Sequence, residues 1–233
     1  MGMLLAAALV FLAIHFLISG TRLRDAIAST IGERPYLGLF SLASIAAIVW
    51  LCSAYDAAQA GGNDPVFYDL GHVRDAGIIV VLVAFLLGVP GLMLPNPTAV
   101  LGDAGTPAKP KGMITITRHP FLWGVVIWSA FHLIANGDEA SVILFGCFFL
   151  LALFGTLSID AKRKRKMGAA WQDFAARTSN VPFAAGLAGR TRIDWGGVFD
   201  WRLLLAFVLF AVVLFAHLWV FKVSPFPNGW QPY

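Results

Sequence analysis

Apolar residues fill six stretches of the chain, at 3–19, 36–55, 76–94, 119–136, 141–159 and 203–221, and polar clusters separate them. Each stretch approaches the ~20 residues that a helix needs to cross a hydrocarbon core. The pattern predicts an all-α polytopic membrane bundle of about six transmembrane helices. A different element follows the fifth stretch. In KRKRKMGAAWQDFAART, Met167, Trp171 and Phe174 recur at i, i+4 and i+7 with charge on the remaining face. That spacing predicts an amphipathic helix lying in the membrane interface. Pro90, within LLGVPGLMLP, is expected to kink or loosen the end of the third helix. NPTAVLGDAGTPAKPKG reads as a flexible connection, and the tail VSPFPNGWQPY as a short irregular stretch. The first stretch has neither a basic leading region nor a small-residue cleavage site after FLISG, so it reads as an uncleaved helix.

Composition agrees with a lipid solvent. Of 233 residues, 58% are hydrophobic and 13% charged, and the mean hydropathy is +0.75. A soluble domain of this length has too little interior to hide so much apolar side chain. No internal repeat or low-complexity tract divides the chain, which reads as one domain over residues 1–233.

Charge orients the bundle. Arg22, Arg24 and Arg34 follow the first helix, and Lys109, Lys111 and Arg118 precede the fourth. Lys162 to Lys166, Arg177, Arg190, Arg192 and Arg202 lie between the fifth and sixth. These loops hold fifteen of the seventeen Lys and Arg; Arg74 and Lys222 fall on the other side. The positive-inside rule makes the basic loops cytoplasmic and turns both termini outward, as in a bacterial inner-membrane protein. The opposite loops carry Asp64, Asp69, Asp75, Asp138 and Glu139. The net charge of +4 therefore reflects topology and attraction to anionic headgroups, and not nucleic-acid binding.

Candidate chemistry is sparse. Cys52 and Cys147 are isolated and read as packing residues, and no C-x-x-C-H is present to attach a c-type haem. P-loop, dinucleotide, zinc-protease and nucleophile-elbow motifs are absent. Five histidines remain. His72 and His119 fall at the two boundaries and read as wet. His15, His132 and His217 lie inside predicted helices, where an ionisable side chain is a functional candidate by default. A neutral imidazole bonded to a neighbouring helix is the competing role for each. Neutral imidazole is also the form that a metal or haem iron takes as ligand. Counted from the nearest basic residues, His132 and His217 lie ~21–23 Å from the basic boundary and His15 ~10 Å. Depth alone pairs His132 with His217.

Three segments carry a resemblance. IHFLISGTRLRDAI, GMITITRHPFLWGVVIWSAFHLIANGD and FAARTSNVPFAA resemble the NnrU family of bacterial membrane proteins and the related zeta-carotene isomerases. The resemblance implies non-covalent haem b held by histidines, with His15 and His132 at the ligand positions. It also implies a role in handling nitrite and nitric oxide, or in redox or isomerase-like chemistry on a lipophilic substrate. The isomerases have a cysteine one turn before the second histidine; Ser129 stands there, so no thiol is at hand for ligand switching. With haem present, Arg22, Arg24 and Arg118 are candidate partners for its propionates, and Gly124 and Ser129 are expected to leave room for a flat macrocycle. A second resemblance, of the Arg118-His119-Pro120 turn with Gly124 and a downstream acidic-aromatic segment, is to membrane methyltransferases that use S-adenosylmethionine. It places Asp160, Trp171 and Phe174 near the cofactor positions. A non-catalytic assembly role is the third alternative.

Overall fold

The computed structural model describes residues 1–62, 65–99 and 109–226. Most of the connection read as flexible, and the last part of the tail, therefore lie outside the described residues. Helix α1 (Gly2–Ala13) runs into a π-helical turn (Ile14–Ser19), followed by α2 (Arg22–Ile31) and α3 (Glu33–Ala60). Then come α4 (Gly77–Met93), α5 (Pro120–Ala135), α6 (Glu139–Met167), α7 (Ala169–Arg177) and α8 (Trp201–Phe221). Short helical turns occupy Gly71–Ala76, Gly112–Thr115, Ala184–Leu187 and Trp195–Val198.

Six apolar helices form where the sequence places them, but they are not equivalent. Among the described residues five spans are long and apolar enough to cross a membrane, α1 and α4 together with the Ile14–Ser19 and Gly71–Ala76 turns that adjoin them, whereas α5 has only 16 residues. Its start is set by Pro120, whose missing N–H costs nothing in a first turn, and its end by Asn136, which leaves the helix in an extended conformation. The helices pack side by side in the order α8, α4, α5, α6, α1, α3, with α3 also touching α6. The two outer helices are the most bare. Leu42, Ile45 and Val49 on α3, and Leu204, Val212 and Trp219 on α8, are all more than half exposed. Water would penalise that much apolar area, so hydrocarbon is the medium these faces fit.

Backbone proximity holds the centre. A Cβ on Gly124 would fall 2.6 Å from the Ala84 carbonyl oxygen, and one on Gly91 2.3 Å from the Phe121 nitrogen. Helices α4 and α5 thus cross almost backbone to backbone, which glycine permits and which van der Waals packing in lipid rewards. This corrects one expectation: Gly124 makes room for α4, not for a macrocycle.

The ends of the bundle are built differently. At the acidic end, residues 65–68 strap the exit of α5. Phe67 N donates to the Gly137 carbonyl (2.8 Å), Glu139 N to Pro65 (2.9 Å), and the Tyr68 hydroxyl to Leu133 O. Carbonyls at a helix C-terminus otherwise have no partner inside the helix. At the basic end, α7 is amphipathic as expected, yet its apolar face does not meet lipid. Trp171 and Phe174 are buried against Ile114 and Met167. The amphipathic helix that leaves apolar residues uncovered is α2, capped by Thr21 and exposing Leu23 and Ile31; its spacing was not singled out from the sequence.

Orientation in the membrane is a matter for experiment. Alkaline phosphatase fused after Asn63 or at Tyr233 is expected to be active, and a fusion after Lys109 inactive. Activity at Lys109 would reverse the proposed orientation.

Candidate functional site

The three intramembrane histidines are tied in the same way. Nδ1–H of His15 donates to the Phe11 carbonyl, and that of His132 to Trp128, each four residues back and each at 2.8 Å. His217 Nδ1–H donates to Val223 O at 2.8 Å. A carbonyl can only accept, so Nδ1 carries a proton in each ring, and a ring in its neutral form keeps its lone pair on Nε2. Such a second bond sets the tautomer and aims the ring of a metal-binding histidine. His15 also occupies the π-helical turn, a departure from α geometry that recurs at functional sites.

His15 and His132 border one aromatic cluster. Ring centroids run from His15 to Phe11 (4.6 Å), Phe148 (5.8 Å), Trp128 (5.7 Å) and His132 (5.1 Å). Phe11 stands one turn toward the acidic end from His15, and Trp128 one turn toward the basic end from His132, so the rings bridge the difference in depth noted from the sequence. His132 also lies against Phe145 of α6 (4.8 Å), the side from which α1 approaches. His217 lies on α8, which packs against α4. His72 is exposed in the Gly71–Ala76 turn.

The basic end holds a second constellation. The Arg118 guanidinium grips Asp160 from Nε (3.0 and 3.1 Å) and Nη2 (2.5 Å), and His119 Nε2 lies 2.7 Å from Asp160 Oδ1. Asp160 sits near the end of α6, and the Arg118-His119 turn opens α5. Around them Thr117 O–H donates to the Asn180 carbonyl, Arg118 N to Ser179 O (2.9 Å), and Trp123 Nε1 to Asn180 Oδ1 (3.2 Å). Trp171 lies under the Arg118 guanidinium at 5.6 Å.

Two expectations change here. His119, read as a wet boundary residue, is only 2% exposed. Burial pulls its pKa below the usual value, against the opposing pull of Asp160. Arg118, a candidate propionate partner, is committed to Asp160, and Arg24 is likewise paired with Glu33 and Asp25 and stacked on Tyr36. Among the described residues Arg22 has no such pair. Asp160, singled out from the sequence only through the methyltransferase resemblance, is the residue on which Arg118 and His119 both converge, across 41 positions from His119.

Among the described residues no cluster of three or more His, Cys, Asp or Glu side chains converges on a common point. A haem iron asks less of the protein, because its macrocycle supplies four donors and the chain only the axial ones. The donor chemistry at His15 and His132 fits that demand.

Comparison with known proteins places the chain. A family model described as NnrU protein matches residues 3–225. The chain belongs to the NnrU family. Two curated relatives resemble this NnrU protein. The 15-cis-zeta-carotene isomerase of Zea mays is 28% identical over 202 residues, 82% of the chain and 52% of the relative. That of Arabidopsis thaliana, also described as chloroplastic, is 27% identical over 193 residues, 78% of the chain and 49% of the relative. The NnrU chain thus spans about half the length of the curated relatives it matches. No solved structure matches it.

Proposed function

We propose that the protein is an integral membrane haem b protein in which His132 and His15 ligate the iron, with His217 as the alternative second ligand. The reading rests above all on the matched Nδ1 bonds of His15 and His132, which leave both Nε2 lone pairs free at the edge of one aromatic cluster. Haem b would supply one-electron and ligand-exchange chemistry at its iron. The chain's own part is to hold two imidazoles in one tautomer, surround them with Phe11, Trp128, Phe145 and Phe148, and exclude water. Arg22 is the propionate partner in this reading. The relatives' names suggest the substrate class, a lipophilic polyene undergoing isomerisation. Such a molecule would reach the cluster through lipid, and no polar entry path is needed. The family resemblance adds nitric oxide as a small ligand to test against the same iron.

The test is the optical spectrum of detergent-purified protein with a haem stain. A low-spin six-coordinate spectrum would indicate two strong axial ligands; a high-spin one would indicate an open position. Protein purified from haem-sufficient cells without a Soret band would remove the proposal.

The methyltransferase alternative makes a different forecast. Arg118 and His119 both turn onto Asp160, and their side chains are 13% and 0% exposed. They are therefore poorly placed to hold a cofactor from solution. Calorimetry with S-adenosylmethionine is expected to show no binding; saturable binding lost in Arg118→Ala would favour methyl transfer instead.

A further inference from the structure

At the basic end, the short helical turn Trp195–Val198 is clamped to the turn Gly112–Thr115. Asp194 N donates to Thr115 Oγ1 (3.1 Å), and the Asp194 carboxylate accepts from Gly112 N (3.0 Å) and Gly197 N (3.1 Å). A Cβ on Gly112 would fall 2.5 Å from the Gly197 carbonyl oxygen, and the φ of +53° there suits glycine. Val198 faces inward, buried with Leu87 and Met113. The aromatic residues on either side of it do not. Trp195 and Phe199 stack on each other (6.0 Å), and both are more than half exposed. So is Trp201, which opens α8.

Three large rings held outside the core mark a surface that something covers. Continuity names the medium. Trp201, Leu204 and Val208 follow the i, i+3, i+7 spacing of one helix face, and all three are exposed. The aromatic corner therefore extends the apolar face of α8 at its basic end. Trp fits that level because its ring is apolar and its N–H is polar. Charge names the headgroup. Lys111 precedes the clamped Gly112, and Arg192 stands two residues before Asp194. Both are exposed, and neither makes a hydrogen bond or close ion pair among the described residues. The nearby acids are spent: Asp200 pairs with Arg202 (2.5 Å), and Asp194 holds two backbone N–H groups. Unspent positive charge beside aromatic rings complements an anionic lipid phosphate.

We propose that the Trp195–Trp201 corner is a docking surface for anionic phospholipid. The rings sit at the boundary of headgroup and acyl chain, and Lys111 and Arg192 lie against the phosphate. Docking there ties the Gly112–Thr115 turn, which leads into Arg118 and α5, to the bilayer surface. The surface is separate from the intramembrane histidines and does not depend on haem.

Fluorine NMR of the full chain labelled with 5-fluorotryptophan in nanodiscs tests this, with signals assigned by single Trp→Phe substitutions. Phosphatidylglycerol and phosphatidylcholine, each spin-labelled near the top of an acyl chain, are added in turn as the minor lipid. The Trp195 and Trp201 signals are expected to broaden more with labelled phosphatidylglycerol, while buried Trp171 stays sharp. Lys111→Gln combined with Arg192→Gln should remove that excess, and both side chains are exposed, so the fold is spared. Lys164→Gln, an exposed charge on α6, should leave it intact. An unbroadened Trp195 overturns the proposal: a water-soluble relaxation agent then tells whether solvent or a protein surface meets the ring. Equal broadening by the two lipids also overturns it. So does an excess that survives the double variant, or one that Lys164→Gln removes as well.

Discussion

His132→Ala is expected to strip the purified protein of haem or to change its spin state. The substitution removes the Nε2 lone pair and leaves the Trp128 carbonyl in its helix, where the backbone still satisfies it. An equal loss should follow either His15→Ala or His217→Ala, whichever holds the second axial position. His72→Ala should leave the spectrum untouched, since that ring is exposed at the acidic end. Haem-to-protein ratio and the Soret maximum read all four variants on one scale. Unchanged haem content in His132→Ala would reassign the residue as an interhelical hydrogen-bonding group in an apolar helix.

Asp160→Ala should be the most damaging substitution for folding. It leaves a guanidinium 13% exposed and an imidazole fully buried, both without their carboxylate. Removing one member of a buried ion pair costs about 3–5 kcal/mol, a large part of the stability of an ordinary domain. Asp160→Asn keeps the shape and one acceptor, so its loss should be smaller. Thermal melting followed by size-exclusion in detergent separates the cases. Equal melting of Asp160→Ala and the wild type would mean that Arg118 and His119 find other partners.

Much of the architecture was readable from hydropathy alone, because each span carries its own signal in a continuous run of residues. The caps of α6 and α8 were not singled out there: Asp138 and Asp200 accept from Ser141 N and Arg202 N. What could not be read was contact across the chain. Trp171 and Phe174 have the spacing of a membrane-surface helix, and nothing local tells lipid apart from Ile114 as the apolar partner. Gly124 looks like open space until Ala84 and Gly88 are known to occupy it. The Arg118-His119 turn was visible as a motif and the methyltransferase resemblance named Asp160 beside it, but the ion pair joining two helices required coordinates. The tautomers of His15 and His132 also required coordinates, although their positions four residues after Phe11 and Trp128 follow from the sequence.

The shortness of α5 has a consequence for where this protein is comfortable. Sixteen residues rise about 24 Å, roughly 6 Å less than a typical hydrocarbon core. Its neighbours make longer spans, 29 residues in α6 and 23 in α4 taken together with the Gly71–Ala76 turn that leads into it, so they set the bilayer thickness around the bundle while α5 ends inside it. The polar turn at Arg118 and the strap at Tyr68 are then shielded from acyl chains by protein alone, as irregular backbone at that depth requires. A thicker bilayer would press hydrocarbon against these two ends before it strained any other helix. Lipid chain length should therefore tune the stability of this protein through its shortest span.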